Sequence, residues 1–387
     1  MKALASSILV LAVTGAFLAA LFAFQPFERA NGAMDRTFGA LPAWTQVEYM
    51  YRDPATQELS HGDAPLESFR LLAQTWAAHP GAKRIVLMGN SQTQMTSLAP
   101  GEPPPVAPEK TYSDHMADAY GQAAEPRLFY RLSAGALSYE EMLWYAAYLA
   151  GRPEIKPDVL LVQLNYQNFA NSGIRGGMLE MLSDPGFRLK MEEAAARRSA
   201  DADAFAAALN RYDNVKAQSN IPAAEPAGNN RLETVLRDRF NGTRPFNGLP
   251  AMQASFSLML VRARTYFLHL GSASKRSLGG ERLAASRAAL EHLAELSKRS
   301  GIRMIFFQAP TNPAVPLYAT SEDDRAYHEF GNSLAARYGI PLLDFEHSVP
   351  GNEWGMSLNL PDPLHLGRAG HRRLAGQMMA ALAQLGI

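Results

Sequence analysis

The chain has 387 residues, of which 47% are hydrophobic and 19% are charged. Its 37 Lys and Arg residues balance 37 Asp and Glu residues, so its formal net charge is zero. Proteins that bind the phosphates of nucleic acids usually carry more basic than acidic residues, so this balance argues against a nucleic-acid-binding protein. The chain contains no cysteine, so it relies on a hydrophobic core rather than on disulfides, and at this length it can bury a sizeable one.

The first element in the chain is an uncharged stretch that follows Lys2. Residues 3–24 carry no charged side chain, and a helix of that length spans about 33 Å, enough for the ~30 Å hydrocarbon core. Lys2 and the N-terminal amine favour a cytoplasmic N-terminus. We therefore predict a single-pass anchor in the cytoplasmic membrane over residues 1–25, with the rest on the periplasmic side. A cleaved signal peptide is the alternative, although no good Ala-x-Ala site directly follows Phe24.

The rest of the chain divides into a predicted juxtamembrane segment at residues 26–80 and a domain at residues 81–387. In that domain, apolar runs alternate with helical segments. The runs predict strands at residues 84–88, 127–132, 158–164, 301–307 and 340–345. Parallel strands joined by helices give a three-layer α/β/α sandwich with a five-stranded sheet. At about residues 171–280 the alternation lapses, and we predict a helical insertion, with a helix at 190–209, that forms a lid or covers the sheet edge.

Two short motifs carry groups for nucleophilic catalysis. Ser91 lies in Gly-Asn-Ser-Gln, directly after the first predicted strand, while Asp362 and His365 lie in Asp-Pro-Leu-His, just before the final helix. A serine hydroxyl needs an adjacent base, and the base needs a partner that fixes its tautomer. Sites in parallel sheets form beyond the carboxyl ends of the strands, where Ser91 would lie. We predict that Ser91, His365 and Asp362 form a catalytic triad, with Asp344 as the alternative acid.

In this order, the two motifs resemble the blocks of the SGNH (GDSL-like) hydrolase superfamily, over roughly residues 83–380. The late block reads D-P-L-H-L-G-R-A-G-H, whereas Asn90 stands where the family has Asp in Gly-Asp-Ser. The resemblance implies the SGNH hydrolase fold and an acyl-serine mechanism without metal or organic cofactor. It also implies two oxyanion donors, the Gly135 backbone amide and the Gln167 side chain, which falls at the family's Asn position. Capping of a strand end is the alternative role for Gln167.

A Gln-Asn-Phe run at residues 167–169, followed by a glycine and an insertion, is similar to a membrane-anchored branch of that superfamily. The branch includes the D-alanine-transfer protein of teichoic-acid D-alanylation and the alginate O-acetylation proteins. The resemblance implies transfer of a D-alanyl or O-acetyl group to a cell-envelope polysaccharide or teichoic-acid-like polymer, with a multi-pass membrane O-acyltransferase as partner. Two alternatives stay open: a periplasmic esterase or deacetylase, and a catalytically idle polymer-binding or scaffold protein.

The remaining histidines lie in predicted helices or loops without metal-ligand spacing. We interpret each of these as structural or exposed: His79, His115, His292, His328, His347 and His371.

Overall fold

The computed structural model describes residues 48–52, 59–62, 65–94, 96, 110–123, 127–135, 137–220, 279–315, 319–357 and 360–387. The predicted anchor at residues 1–25 and much of the predicted insertion lie outside these ranges. Across the ranges themselves, every helix is too short or too polar to cross a membrane. Ala43–Lys216 and Ser272–Ile387 form one compact unit, and the architecture below belongs to it.

A seven-stranded sheet with the spatial order β2-β1-β4-β3-β5-β6-β7 forms the centre of this unit. The strands are β1 (Glu48–Arg52), β2 (Leu59–Gly62), β3 (Lys83–Gly89), β4 (Arg127–Ser133), β5 (Val159–Leu164), β6 (Arg303–Gln308) and β7 (Leu342–Asp344). β3 to β7 run parallel, which confirms the predicted five-stranded parallel sheet. β1 and β2 extend it with antiparallel pairing at the β4 edge. The sequence did not predict these two short strands, because their mixed polar and aromatic residues lack a clear period.

Helices cover both faces of the sheet. Within the described residues they are α1 (Pro65–Ala78), α2 (Tyr112–Gly121), α3 (Tyr139–Ala150), α4 (Pro185–Ala195), α5 (Ala202–Asn220), α6 (Glu281–Ser300), α7 (Ser321–Tyr338) and α8 (Arg368–Gln384). In β3, Val86 and Met88 join a core with α1, α3 and α6, while Ile85 and Leu87 join a second core with α2 and α8. Successive side chains of β3 thus point to opposite faces of the sheet, and those on both faces are apolar. This pattern is typical of a strand buried between two helical layers. The predicted three-layer α/β/α arrangement is confirmed.

The described part of the insertion packs against α3. Phe187 on α4 and Phe205 on α5 both contact the Trp144 ring, with ring centroids 5.2 and 6.1 Å away. The prediction of one helix at residues 190–209 is wrong, because α4 ends at Ala195 and α5 begins at Ala202. Between the two helices, the buried Asp201 carboxylate pairs with His292 Nδ1 on α6 at 2.7 Å. A carboxylate buried in this way needs a partner, and this pairing accompanies the break between the two helices.

A small hairpin precedes the last helix. β8 (Trp354–Ser357) and β9 (Leu360–Leu366) pair antiparallel, apart from the main sheet. The N–H of Gly367, at the start of α8, donates to the Glu353 carbonyl at 2.8 Å. Asp362 and His365 therefore lie on a strand anchored at its far end to α8, and this strand contacts the turn that follows β3.

Candidate active site

Ser91 lies at the carboxyl end of β3, in a single 3₁₀ turn at Ser91–Thr93. Asn90 caps this turn, because its Oδ1 accepts the Gln92 N–H at 3.0 Å. The half-buried Ser91 hydroxyl lies 3.1 Å from His365 Nε2, close enough for Oγ–H to donate to that nitrogen. The turn thus presents the predicted nucleophile directly to the predicted base, although 274 positions separate them in the chain.

The other nitrogen of the His365 ring faces the predicted acid. His365 Nδ1 and Asp362 Oδ2 are 3.1 Å apart. Asp362 Oδ1 accepts the backbone N–H groups of Leu364 at 2.8 Å and His365 at 3.0 Å, so the carboxylate is fixed by its own loop. Burial by itself would raise the pKa of Asp362, but the His365 hydrogen bond and charge, together with the two N–H donors, lower it overall. An ionised Asp362 holds the Nδ1–H tautomer that leaves Nε2 free to accept a proton.

Asp344, the alternative acid, is not part of this arrangement. It ends β7 with an exposed side chain, and its Oδ1 accepts the Glu346 N–H at 2.9 Å. Asp362 is held in addition from a neighbouring loop, because Asn312 Nδ2 donates to the Asp362 carbonyl at 2.8 Å. Of the two acids, the structure brings Asp362 to His365.

Four buried side-chain amides hold the Ser91 turn in place. The Asn90 N–H donates to Gln163 Oε1 at 2.8 Å, and Gln163 Nε2 donates to Gln92 Oε1 at 2.9 Å. Gln92 Nε2 donates in turn to the Pro310 carbonyl at 3.0 Å, while Asn90 Nδ2 donates to Asn168 Oδ1 at 2.9 Å. Each amide offers both a donor and an acceptor, so these side chains can hold the turn without a buried charge. Asn90, the departure from the family pattern, therefore has a neutral partner in Asn168.

A buried guanidinium fixes the other end of the turn. Arg131, on β4, donates from Nη1 to the Thr93 carbonyl at 2.7 Å and to Ser113 Oγ at 2.9 Å. Ser113 Oγ also donates to the Thr93 carbonyl, at 3.0 Å. Arg131 and Gln163 were not predicted from the sequence as supports of the site. Gln163 is a polar residue inside the otherwise apolar strand β5, and Arg131 is a charged residue between the apolar residues of β4, which are signals that could have pointed to them.

Gly135, the predicted amide donor, lies at the same edge of the sheet as Ser91. Gly89 pairs with Ser133 across β3 and β4, and the Ala134 N–H reaches the Gly89 carbonyl at 3.4 Å. The Gly135 carbonyl, in the peptide that follows the predicted donor, accepts from Arg175 Nη2 at 3.2 Å. In the described part of the chain, the N–H groups of Ser91 and Gly135 donate to no protein group, so both can serve an oxyanion.

Gln167, the predicted side-chain donor, follows β5 in the 3₁₀ segment Tyr166–Ala170. Asn165 caps this segment, because its Oδ1 accepts the Gln167 N–H at 2.9 Å. Asn165 is thus the cap of the 3₁₀ segment, and the role of Gln167 stays a prediction. The Gln167 side chain lines a cavity of about 50 Å³ together with Pro363 and Leu364, which lie between the triad's Asp and His.

A larger groove lies between the start of α3, α5 and residues 171–175. Its volume is about 500 Å³. Arg175 lines it and is held by Glu141 through two hydrogen bonds of 2.7 Å. Ser138 and, on α5, Arg211 also line it. Ile174 and Ala204 line it as well, so its walls are both polar and apolar.

Comparison with protein-family models and with curated proteins finds no match. Among solved structures, a protein from Lactobacillus plantarum shares 13% identity with a TM-score of 0.35, covering 79% of this chain and 99% of its own. A variant of an acetylxylan esterase from Geobacillus stearothermophilus shares 10% identity with a TM-score of 0.33, covering 78% of this chain and 94% of its own. The aryl esterase of M. smegmatis shares 10% identity with a TM-score of 0.33, covering 79% of this chain and 100% of its own. Likeness at this level decides neither activity nor substrate.

Proposed function

We propose that this chain is a serine-dependent enzyme of carboxylic esters that works through an acyl-serine intermediate. One observation carries the proposal: Ser91 Oγ, the His365 ring and the Asp362 carboxylate form a continuous hydrogen-bonded series with two contacts of 3.1 Å. An imidazole held between a hydroxyl and a buried carboxylate is the arrangement that activates a serine. The same contact disfavours the catalytically idle protein, since such a protein has no need of it.

The geometry gives each group a step. Ser91 Oγ attacks the ester carbonyl carbon while His365 Nε2 takes the hydroxyl proton, and Asp362 stabilises the imidazolium that results. The negative charge on the carbonyl oxygen is met by the Ser91 and Gly135 amides and by the Gln167 side chain. His365 then gives its proton to the departing alkoxide. In the second half, water attacks the acyl carbon, its proton passes to His365, and Ser91 leaves with that proton restored.

Transfer to a carbohydrate or polyol hydroxyl is the second candidate. It differs only in the second half, where an acceptor hydroxyl replaces water, and the groove lined by Ser138, Arg175 and Arg211 supports it as a place for that acceptor. The uncharged residues 3–24 support a membrane-anchored, periplasmic protein that acts on a cell-envelope polymer. A multi-pass membrane O-acyltransferase as donor partner belongs to this second candidate.

Covalent labelling tests the shared chemistry. A serine-directed fluorophosphonate should label the purified protein at Ser91, which mass spectrometry of the peptide identifies. Ser91→Ala should abolish the label, and His365→Ala should slow it by about 10³-fold or more, because the hydroxyl loses its base. His347→Ala removes an exposed histidine and should leave the rate unchanged. A folded protein that takes no label would overturn the proposal.

Product analysis separates hydrolysis from transfer. With an activated acetyl ester as donor, hydrolysis releases acetate at a rate that added glycan or polyol does not change. Transfer shows acetylated acceptor at the expense of acetate, with Ser91→Ala as the blank for both. The ratio of acetylated acceptor to acetate decides between the two candidates.

A further inference from the structure

A second cluster of ionisable side chains lies outside the triad, at the carboxyl end of β6 and β7. Asp324 and His328 occupy one face of α7, four positions apart, and Glu346 follows β7. His328 Nε2 is 3.2 Å from Glu346 Oε2 and 3.7 Å from Asp324 Oδ1. One oxygen or nitrogen from each residue lies within 4.8 Å of the others.

We propose that Asp324, His328 and Glu346 form a binding site for a divalent transition-metal cation such as Zn²⁺. Ligand bonds in zinc sites are about 2.0–2.2 Å long, so two ligands on a tetrahedral centre lie roughly 3.4 Å apart. The separations of 3.2 and 3.7 Å around His328 Nε2 bracket that value. One imidazole and two carboxylates are also a ligand set that Zn²⁺ accepts in proteins, with a fourth position left open.

A second observation concerns the far side of the His328 ring. Gln308, buried at the end of β6, places its side-chain amide 3.0 Å from His328 Nδ1. Histidines that bind metals nearly always donate the N–H of the other ring nitrogen to an acceptor, and the Gln308 amide can supply that acceptor only through its oxygen. Without metal, Gln308 Nε2–H donates to Nδ1, and the ring's Nε2–H faces Glu346. When the Gln308 amide turns over, its oxygen accepts Nδ1–H, and the Nε2 lone pair becomes available to a cation.

Charge and space agree with a dication at this position. Asp324 and Glu346 bring two carboxyl groups to one imidazole, and their side chains are about 26% and 12% exposed. Like charges brought together in a half-buried place repel unless a cation offsets them. Both carboxylates line the cavity of about 50 Å³ that also touches Gln167 and Leu364, which is room for a water in the open ligand position.

The site is distinct from the triad and does not depend on the proposed function. It would tie the first turns of α7 to the segment after β7, on the far wall of the cavity next to the triad loop. The sequence alone does not indicate this cation site, because Glu346 comes 18 positions after His328 and lies outside α7.

Metal titration of the untagged, chelator-treated full chain tests the proposal. Co²⁺, whose visible absorption reports tetrahedral ligands, should bind with one equivalent, and Zn²⁺ should displace it. His328→Gln and, separately, Asp324→Asn should each weaken Co²⁺ binding by about 100-fold or more. Loss of a ligand should cost at least as much affinity as loss of a residue that only hydrogen-bonds to a ligand. Glu329→Gln and His347→Gln change exposed neighbours and should leave binding unaltered.

Ser91→Ala should bind Co²⁺ as the unaltered chain does, which keeps this test separate from that of the acyl-serine. Circular dichroism of each variant checks that it is folded. If His328→Gln does not fold, Asp324→Asn alone provides the test. Undiminished one-equivalent binding in either folded variant, or no saturable binding by the unaltered chain, would overturn the proposal.

Discussion

Gln163 accepts the Asn90 N–H on its Oε1 at 2.8 Å, directly beneath the peptide that leads into Ser91. The same side chain donates from Nε2 to Gln92 Oε1 at 2.9 Å, on the far side of the serine. A single buried amide therefore holds the residues before and after the nucleophile. The position of the Ser91 hydroxyl relative to His365 therefore depends in part on this side chain of β5.

Gln163→Leu should damage both stability and catalysis. Leucine has nearly the same size but leaves the Asn90 N–H and Gln92 Oε1 buried without partners, at about 1–3 kcal/mol each. We expect the free energy of unfolding to fall by about 2–5 kcal/mol, measured by urea denaturation. The labelling rate at Ser91 should also fall in the folded protein. Gln384→Leu, at the exposed end of α8, is the matched control and should change neither.

Gly89 should tolerate no side chain. A Cβ at this position would lie inside van der Waals contact of Thr93 Cγ2 and 2.9 Å from Gln163 Oε1. Gly89→Ala therefore pushes the serine turn away from its amide support, and we expect a loss of about 1–3 kcal/mol in stability with slower labelling. Gly81→Ala is the control, because no atom lies within 4 Å of the added methyl group. Equal stability of the two alanine variants would contradict the packing described here.

Gln167 should contribute to the oxyanion through its side-chain N–H. Removal of one such donor costs about 10²–10³ in kcat, and Gln167→Ala should show a loss of that size with an unaltered fold. Gln167→Glu keeps the shape but has no N–H when ionised, so it should be equally slow. Asn171→Ala removes only a bond to the Gln167 carbonyl and is the control. A rate for Gln167→Ala equal to that of the unaltered chain would leave the backbone amides as the donors.

Glu140, at the start of α3, should make stability depend on pH. Burial raises the pKa of this carboxyl to about 7, above its value of about 4.3 in the unfolded chain. Between these values the folded state binds more protons, so stability falls as pH rises. Glu140→Gln should remove this dependence. Its free energy of unfolding relative to that of the unaltered chain should therefore rise by on the order of 3 kcal/mol from about pH 5 to pH 8. Urea unfolding at both pH values measures it.

The matched control for that measurement is Glu154→Gln, which alters an exposed glutamate in the loop after α3. It should follow the pH dependence of the unaltered chain. If the free energy of unfolding of Glu140→Gln varied with pH as that of the unaltered chain does, the prediction would be wrong. Glu140 would then ionise in the folded state as it does in the unfolded one.

Much of the fold follows from local pattern. The run Ile85-Val86-Leu87-Met88 predicts a strand buried on both faces, because its residues are apolar without alternation. The order of such runs and helical segments predicts the parallel sheet and its two helical layers. Ser91, Asp362 and His365 are also recognisable from the sequence, since short motifs place them at strand ends where sites form.

The tertiary structure decided what depends on contacts between distant residues. β1 and β2 join the sheet through pairing with β4, and no local period in these short strands announces that pairing. The amides of Gln92, Gln163 and Asn168 become one support only when β3, β5 and the segment after β5 lie side by side. Hydrogen bonds act over about 3 Å in space, whereas sequence patterns report only the few neighbours that share a turn or a strand. The chain's own pattern thus determined the layers and the triad, and packing alone determined what holds the triad in place.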